Sequence, residues 1–76
     1  MAEPDRIVEI RDDVIRLGQL LKLADFIDNG SEARDVLAEG VVLVNGEVET
    51  RRGRQLVPGD SVTVRGETVG ISRRGH

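Results

Sequence analysis

The sequence predicts an α+β domain in which two short helices pack on one face of a small, mostly antiparallel sheet. Three observations lead to this prediction. Apolar residues recur at helical spacing in residues 17–24, a second helical pattern follows over residues 31–39, and the chain after Gly40 alternates between β-branched runs and turn residues. With 76 residues, the chain is long enough for one such core and too short for two.

The N-terminal third combines one strand with the first helix. The segment Arg6–Ile10 alternates polar and apolar residues, which predicts a short edge strand. Apolar residues then occupy the i, i+3, i+4 and i+7 positions of one helical face: Leu17, Leu20, Leu21 and Ala24. This spacing predicts a helix over residues 17–25, for which Asp13 and Gly18 are both candidate N-caps.

A second short helix is predicted over residues 32–39. The turn sequence Asp28-Asn29-Gly30 precedes it, and the hydroxyl of Ser31 is suited to cap its N-terminus. Gly40 follows as the left-handed residue that ends many helices. One face of this helix is apolar, with Ala33, Val36 and Leu37.

The remaining chain predicts strands joined by tight turns. Val41–Val44 is a β-branched run, Asn45-Gly46 is a strong hairpin signal, and Glu47–Thr50 is the returning strand. The sequence Val57-Pro58-Gly59-Asp60 fits a type II turn. Two more short strands are predicted, Ser61–Val64 and Thr68–Ile71. We expect residues 72–76 to form a flexible tail.

Charge is distributed unevenly along the chain. The formal net charge is −3, but residues 1–40 hold ten acidic and five basic residues, whereas residues 41–76 hold four acidic and six basic residues. Arg accounts for ten of the eleven basic residues, and its planar guanidinium suits bidentate contact with phosphate. The net charge alone argues against a nucleic-acid partner, whereas this distribution leaves room for a basic binding surface.

The residues of the usual enzyme sites are scarce. The chain has no Cys, and His76 is its single His, so no familiar nucleophile–base pair or metal cluster can be assembled. We therefore predict no catalysis, no cofactor, no metal and no small-molecule substrate. The acidic N-terminus leads into no long apolar run, which predicts neither a signal peptide nor a membrane span and favours a cytoplasmic location.

The order of the elements, taken with their turn residues, resembles the S4-like RNA-binding domain, a family named for small-subunit ribosomal protein S4. The resemblance is carried by four segments: Ile15–Leu23, Gly30–Arg34, Glu39–Glu47 and Pro58–Asp60. It extends over roughly residues 6–71 and is strongest toward the compact bacterial subfamily in which the module stands alone. It implies one domain over residues 1–76, expected to be a monomer, that takes part in translation.

The resemblance also implies binding of structured RNA, typically ribosomal or transfer RNA, through the helix pair and the adjoining basic loop. The candidate RNA-binding residues are Lys22, Ser31, Arg34, Asn45, Gly46, Arg51, Arg52 and Arg54. The cations are suited to a phosphate track, the N-terminus of the second helix at Ser31 to a phosphate, and the tight turn to close approach of an RNA backbone. We predict that the five cations converge on one face.

Each candidate also has a structural interpretation. Ser31 is expected to act as an N-cap whatever the function, Asn45-Gly46 is required by the hairpin, and Lys22 taken alone is typical of solvated surface. The loop Arg51–Arg54 is different, because three like charges within four residues repel one another unless a polyanion binds.

Two other functions compete with RNA binding. A ubiquitin-like sulfur carrier is one, because the chain is small, α+β and ends near Arg73-Arg74-Gly75. Such carriers need a terminal Gly-Gly, whereas this chain ends Gly75-His76, and two tandem helices before the hairpin fit that fold poorly. The other is a protein-interaction module in which the acidic N-terminal half docks on a basic partner.

Overall fold

The computed structural model describes residues 4–74. Two helices and seven strands follow one another along the chain. In chain order these are β1 (Arg6–Ile10), β2 (Ile15–Arg16), α1 (Leu17–Leu23), α2 (Gly30–Ala38), β3 (Val42–Val44), β4 (Glu47–Val48), β5 (Gln55–Leu56), β6 (Ser61–Val64) and β7 (Glu67–Arg73). The α+β class predicted from the sequence is confirmed.

The larger sheet has five strands in the order β1-β7-β6-β3-β4. Only the pairing of β1 with β7 is parallel, and the other three pairings are antiparallel. Strand β1 has the predicted bounds and lies at an edge of the sheet. Within residues 4–74, no helix has the length and hydropathy needed to cross a bilayer.

The core lies between the two helices and one face of this sheet. Alternate strand residues point into it, as expected for a sheet with one buried face: Val8, Ile10, Val42, Val44, Val62, Val64, Val69 and Ile71. The helices contribute the predicted apolar stripes, Leu17, Leu20 and Leu21 from α1 and Ala33, Val36 and Leu37 from α2. These buried Val and Ile side chains therefore provide the surface on which both helices pack.

The hairpin between β3 and β4 turns at Asn45-Gly46, as predicted. Both residues have positive φ angles, 51° and 86°, which is the backbone that a two-residue hairpin turn requires. The Asn45 side chain also holds the neighbouring turn, because its Nδ2 donates to Asp60 Oδ1 at 3.1 Å and its Oδ1 accepts from the Ser61 amide at 2.9 Å. Asn45 thus joins two turns at one end of the sheet.

The helix caps differ from the prediction. The N-cap of α2 is Asn29, not Ser31, because the Asn29 Oδ1 accepts from the backbone amides of Ser31 and Glu32 at 3.1 and 3.2 Å. The N-cap of α1 is Arg16, so neither Asp13 nor Gly18 has that role. An amide or hydroxyl in the correct sequence context is not sufficient, since the chain entering the helix must also take the extended conformation.

The predicted flexible tail is wrong for its first residues. Strand β7 continues through Ser72 to Arg73, where Arg73 pairs with Ile10 of β1 and its guanidinium lies 2.8 Å from Asp13. The Arg74 amide donates to the Ile10 carbonyl at 2.8 Å. Parallel pairing with β1, which the local sequence did not reveal, extends this strand. The rest of the predicted tail, residues 75–76, lies outside the described residues.

A second, two-stranded sheet was not predicted. Strand β2 pairs antiparallel with β5, matching Ile15 with Leu56 and Arg16 with Gln55. Two backbone hydrogen bonds continue this contact into α1, from the Leu17 amide to the Arg54 carbonyl at 2.8 Å and from the Gly18 amide to the Arg52 carbonyl at 2.9 Å. The loop before β5 is therefore held against the start of α1.

The turn at Gly46 gives a stability prediction. An L side chain at its φ of 86° is strained by sterics of the left-handed region, so Gly46→Ala should lower the unfolding free energy by about 1 kcal/mol or more. Gly30→Ala is the matched control, since Gly30 has no such φ and an added Cβ there meets nothing within 4 Å. Urea denaturation of both variants measures the difference, and equal stabilities would contradict the turn geometry.

Candidate nucleic-acid interface

A groove lies where α1, the start of α2 and the loop before β5 meet. It has a volume of about 330 Å³, and its lining includes Arg16, Lys22, Gly30 and Arg52. A second concavity of about 380 Å³ adjoins it and is lined by Arg34 and again by Arg52. Arg52 lines both, and we call the two together the cationic groove, defined by Arg16, Lys22, Arg34 and Arg52.

The electrostatics of the cationic groove differ from those of the chain as a whole. No Asp or Glu is among the described residues that line either concavity, although the chain carries a net charge of −3. None of the four cations forms an ion pair within residues 4–74. Their charges are therefore available to an anionic partner.

The larger concavity of the molecule has a different character. It measures about 900 Å³ and lies between the end of β1 and α1. Glu9, Asp12 and Asp25 line it together with Arg11, Lys22 and Arg74, so Lys22 borders both this concavity and the cationic groove. Such mixed charge gives no net attraction for a polyanion, so the larger volume does not make this concavity the better candidate for binding phosphate.

The basic loop is organised around a buried carboxylate. Glu49 is only 7 % exposed, and five hydrogen bonds reach its two oxygens. Arg51 donates from Nε to Oε2 at 3.1 Å, Arg54 donates from Nη1 to Oε1 at 2.9 Å, and the amides of Thr50 and Arg51 donate to Oε2 at 3.0 Å. This arrangement satisfies a carboxylate that has left water.

These contacts shift the titration of both partners. The Arg51 side chain, the Arg54 side chain and the Arg51 amide, in that order, hold the pKa of Glu49 far below its ordinary value of 4.5. In return, the hydrogen bonds and charge of Glu49 raise the pKa of Arg51. The expectation that Arg51–Arg54 holds three unpaired like charges is therefore wrong for Arg51 and Arg54, whose charges face Glu49.

Comparison with known proteins identifies the family. A sequence model described as the S4 domain matches residues 8–72. The chain belongs to the S4 domain family. The resemblance noted from the sequence is thereby confirmed, and the match includes the helix pair, the hairpin and the loop around Glu49.

Several relatives of this S4 domain are similar over most of its length. A Bacillus subtilis protein described as a probable ribosome maturation protein, RlbA, is 48% identical over 66 residues, covering 87% of this chain and 89% of that protein. A putative RNA-binding protein of Escherichia coli, YbcJ, is 39% identical over 57 residues, covering 75% and 81%. The small ribosomal subunit protein uS4m of Schizosaccharomyces pombe is 43% identical over 54 residues, covering 71% of this chain and 16% of that protein.

A solved structure agrees with the fold. The solution structure of Escherichia coli YbcJ, described as having an alfaL motif involved in RNA binding, superposes with a TM-score of 0.66 at 32% identity. The superposition covers 95% of this S4 domain and 91% of YbcJ. At this identity and coverage, the two chains share one arrangement of helices and sheet.

The structure separates the predicted site residues into groups. Lys22, Arg34 and Arg52 line the two adjoining concavities of the cationic groove. Arg51 and Arg54 belong to the same loop as Arg52 but pair with Glu49. Of the five cations predicted to converge on one face, three therefore line the cationic groove and two face Glu49.

Three other predicted residues have structural contacts of their own. The Ser31 amide and hydroxyl both donate to the Asn29 Oδ1, the hydroxyl at 2.6 Å. The Glu32 carboxylate accepts from the Asp28 amide at 2.8 Å, so the N-terminus of α2 already has acceptors and a negative charge. Asn45 and Gly46 form the β3–β4 turn and do not line the groove.

Sequence reasoning missed two residues of this region. Arg16 precedes α1, and it enters the groove because the pairing of β2 with β5 fixes the start of that helix. Glu49 falls within the predicted returning strand, whereas β4 ends at Val48. The one sequence signal for Glu49 is its position shortly before a run of Arg residues. An acidic residue there can neutralise part of the positive charge of that run.

The buried carboxylate gives a prediction on acid stability. Since the pKa of Glu49 is lower in the folded chain, the folded chain holds fewer protons than the unfolded chain near pH 4. The stability from this group is present above its ordinary pKa of 4.5 and is lost as the pH falls below it. Wild type should therefore lose melting temperature as the pH falls from about 5 to about 3.

Two variants separate Glu49 from the other carboxylates. Glu49→Gln should lose less melting temperature over that range than wild type does, because the group that titrates is gone. Glu47→Gln removes an exposed carboxylate two residues away and should follow the wild-type curve. Parallel curves for all three proteins would show that Glu49 has no special role in acid stability.

Proposed function

We propose that this S4 domain binds structured RNA and holds the phosphate backbone in the cationic groove, without catalysing a reaction on it. The observation that carries the proposal is a groove of four cations, free of acidic lining among the described residues, on a chain of net charge −3. Phosphate neutralisation by Lys and Arg supplies most sequence-independent affinity for nucleic acids. An acidic chain with one such surface binds in a defined orientation, since the rest of it repels phosphate.

The names of the relatives support ribosomal RNA as the class of RNA. The Bacillus subtilis relative is called a probable ribosome maturation protein, and the Schizosaccharomyces pombe relative is a small ribosomal subunit protein. We therefore propose that the chain acts as a monomer in translation, in the cytoplasm, on ribosomal RNA. Transfer RNA is the competing ligand that the experiment below must distinguish.

Recognition is proposed to depend on RNA shape more than on base sequence. The chain has no Trp or Tyr and a single Phe, and the Phe26 ring is partly buried with the Arg6 guanidinium 5.3 Å from its centroid. The Phe26 ring is therefore poorly placed to stack on a base. Stacking of bases on aromatic side chains is how many proteins recognise single-stranded RNA. Contacts to phosphates and 2′-hydroxyls remain, and they report the geometry of a folded RNA.

The sulfur-carrier alternative has less support. Such a carrier has one long helix crossing its sheet, whereas this chain has two short helices, α1 of seven residues and α2 of nine. A protein-interaction role for the acidic half is not needed to explain the cationic groove. RNA binding is the function that accounts for both the family and the unpaired cations.

The role of the groove is tested by removing Arg52, the cation shared by its two parts. Arg52→Ala should weaken binding to folded RNAs of different sequence about equally. It should also reduce the slope of log affinity against log salt by roughly 0.7–0.9 for each phosphate that is no longer neutralised. Arg65→Ala is the matched control, because it removes the same charge from a residue that pairs with Glu39 and does not line the groove.

The measurement is a titration of wild type, Arg52→Ala and Arg65→Ala with a small-subunit ribosomal RNA transcript and with transfer RNA, at about 50 and 200 mM salt. The proposal expects tighter binding to the ribosomal transcript and a weakening confined to Arg52→Ala. Equal weakening in both variants, or wild-type binding no tighter than the ~10⁻⁴ M of weak non-specific association, would contradict it. Preference for transfer RNA would overturn the choice of ribosomal RNA alone.

A further inference from the structure

The loop before β5 is fixed from two sides. On its inner side, the buried Glu49 binds the side chains of Arg51 and Arg54. On its outer side, the carbonyls of Arg52 and Arg54 accept hydrogen bonds from the Gly18 and Leu17 amides at the start of α1. Arg52 therefore lies between Arg51 and Arg54, whose side chains bind Glu49, whereas its own side chain lines the cationic groove.

We infer that Glu49 is a positioning residue for RNA binding, which holds the loop so that Arg52 faces the cationic groove between the helices. This inference rests on the proposed function, since it concerns how the same surface is built. Glu49 itself is 7 % exposed and faces the two Arg side chains of its own loop. It therefore acts through Arg52 and has no expected contact with RNA.

A positioning role for Glu49 predicts the opposite change in RNA affinity from the one that charge alone predicts. A carboxylate near a phosphate-binding surface repels the ligand, so its neutralisation should raise affinity for RNA. If Glu49 instead positions the loop, its neutralisation frees Arg51–Arg54 to move, and RNA must order the loop again when it binds. The affinity for RNA should then fall although the chain has become more positive. The sign of the change in affinity therefore distinguishes a positioning role of Glu49 from simple charge repulsion.

The experiment compares Glu49→Gln with Glu47→Gln, an exposed neighbour that gives the same change in net charge. Each variant is titrated with the ribosomal transcript at two salt concentrations, beside wild type and Arg52→Ala. Glu49→Gln should bind roughly 3- to 10-fold more weakly than wild type, close to the weakening for Arg52→Ala. Glu47→Gln should bind as well as wild type or slightly more tightly.

Glu49→Asp provides a second test at constant charge. Its shorter side chain keeps the carboxylate but cannot reach both Arg51 and Arg54 in the same geometry, so a positioning role predicts weaker binding. A purely electrostatic role predicts unchanged binding. If Arg52→Ala weakens binding while Glu49→Gln binds as tightly as Glu47→Gln, the inference fails and the proposed function stands. If Arg52→Ala has no effect, the proposed function fails first.

Amide hydrogen exchange in the free protein gives a readout that does not depend on RNA. Protection of the Leu17 and Gly18 amides, which donate to the loop carbonyls, should fall in Glu49→Gln. Protection of the Val62 and Val69 amides, in the core strands β6 and β7, should remain as in wild type. Reduced protection at all four sites would overturn the inference, because Glu49 would then maintain the whole fold and not the loop.

Discussion

A carboxylate that leaves water must have its charge and its lone pairs satisfied by the protein, and in this chain that requirement shapes the loop beside the cationic groove. Glu49 meets it through two Arg side chains and two backbone amides of the residues that follow it. The chain must curl around the carboxylate to make these contacts. The same curl directs the carbonyls of Arg52 and Arg54 to the start of α1, and so joins the loop to the helix pair.

Most of the basic residues fall into two classes, those that pair with a carboxylate and those that line the cationic groove. Five of them pair with carboxylates and hold elements together: Arg6, Arg51, Arg54, Arg65 and Arg73. The four cations of the groove form no ion pair in the described part of the chain. Net charge is therefore a poor guide to the partner here, because no Asp or Glu is among the described residues that line the groove. Orientation of the unpaired cations is what an anionic ligand experiences.

Local patterns predicted the elements that depend on local physics. The alternation of Arg6–Ile10, the hairpin at Asn45-Gly46 and the apolar stripes of both helices depend on residues a few positions apart. The errors involve distant contacts. The extension of β7 depends on its pairing with β1, and the small sheet depends on Ile15 meeting Leu56. No spacing within either segment encodes those partners.

The candidate site was predicted in part for the same reason. Charge density in the sequence pointed to Arg51–Arg54, but it did not distinguish Arg52, which lines the groove, from its neighbours, which face Glu49. That distinction requires the direction of each side chain. The sequence favours Ser31 as the helix cap, whereas Asn29, two residues earlier, has that role.

The groove also depends on helices that could not persist alone. Helices shorter than about 12–15 residues are marginal in water, and α1 and α2 have seven and nine residues. Their buried faces pack on the buried Val and Ile side chains of the sheet. Arg6 also links the sheet to the end of α1, because it pairs with Glu67 of β7 at 2.7 Å and donates to the Ala24 carbonyl just after α1. Lys22 and Arg34 are therefore positioned by the core beneath them. If RNA binds to them as proposed, it favours the folded state by mass action, so that the bound surface and the core stabilise each other.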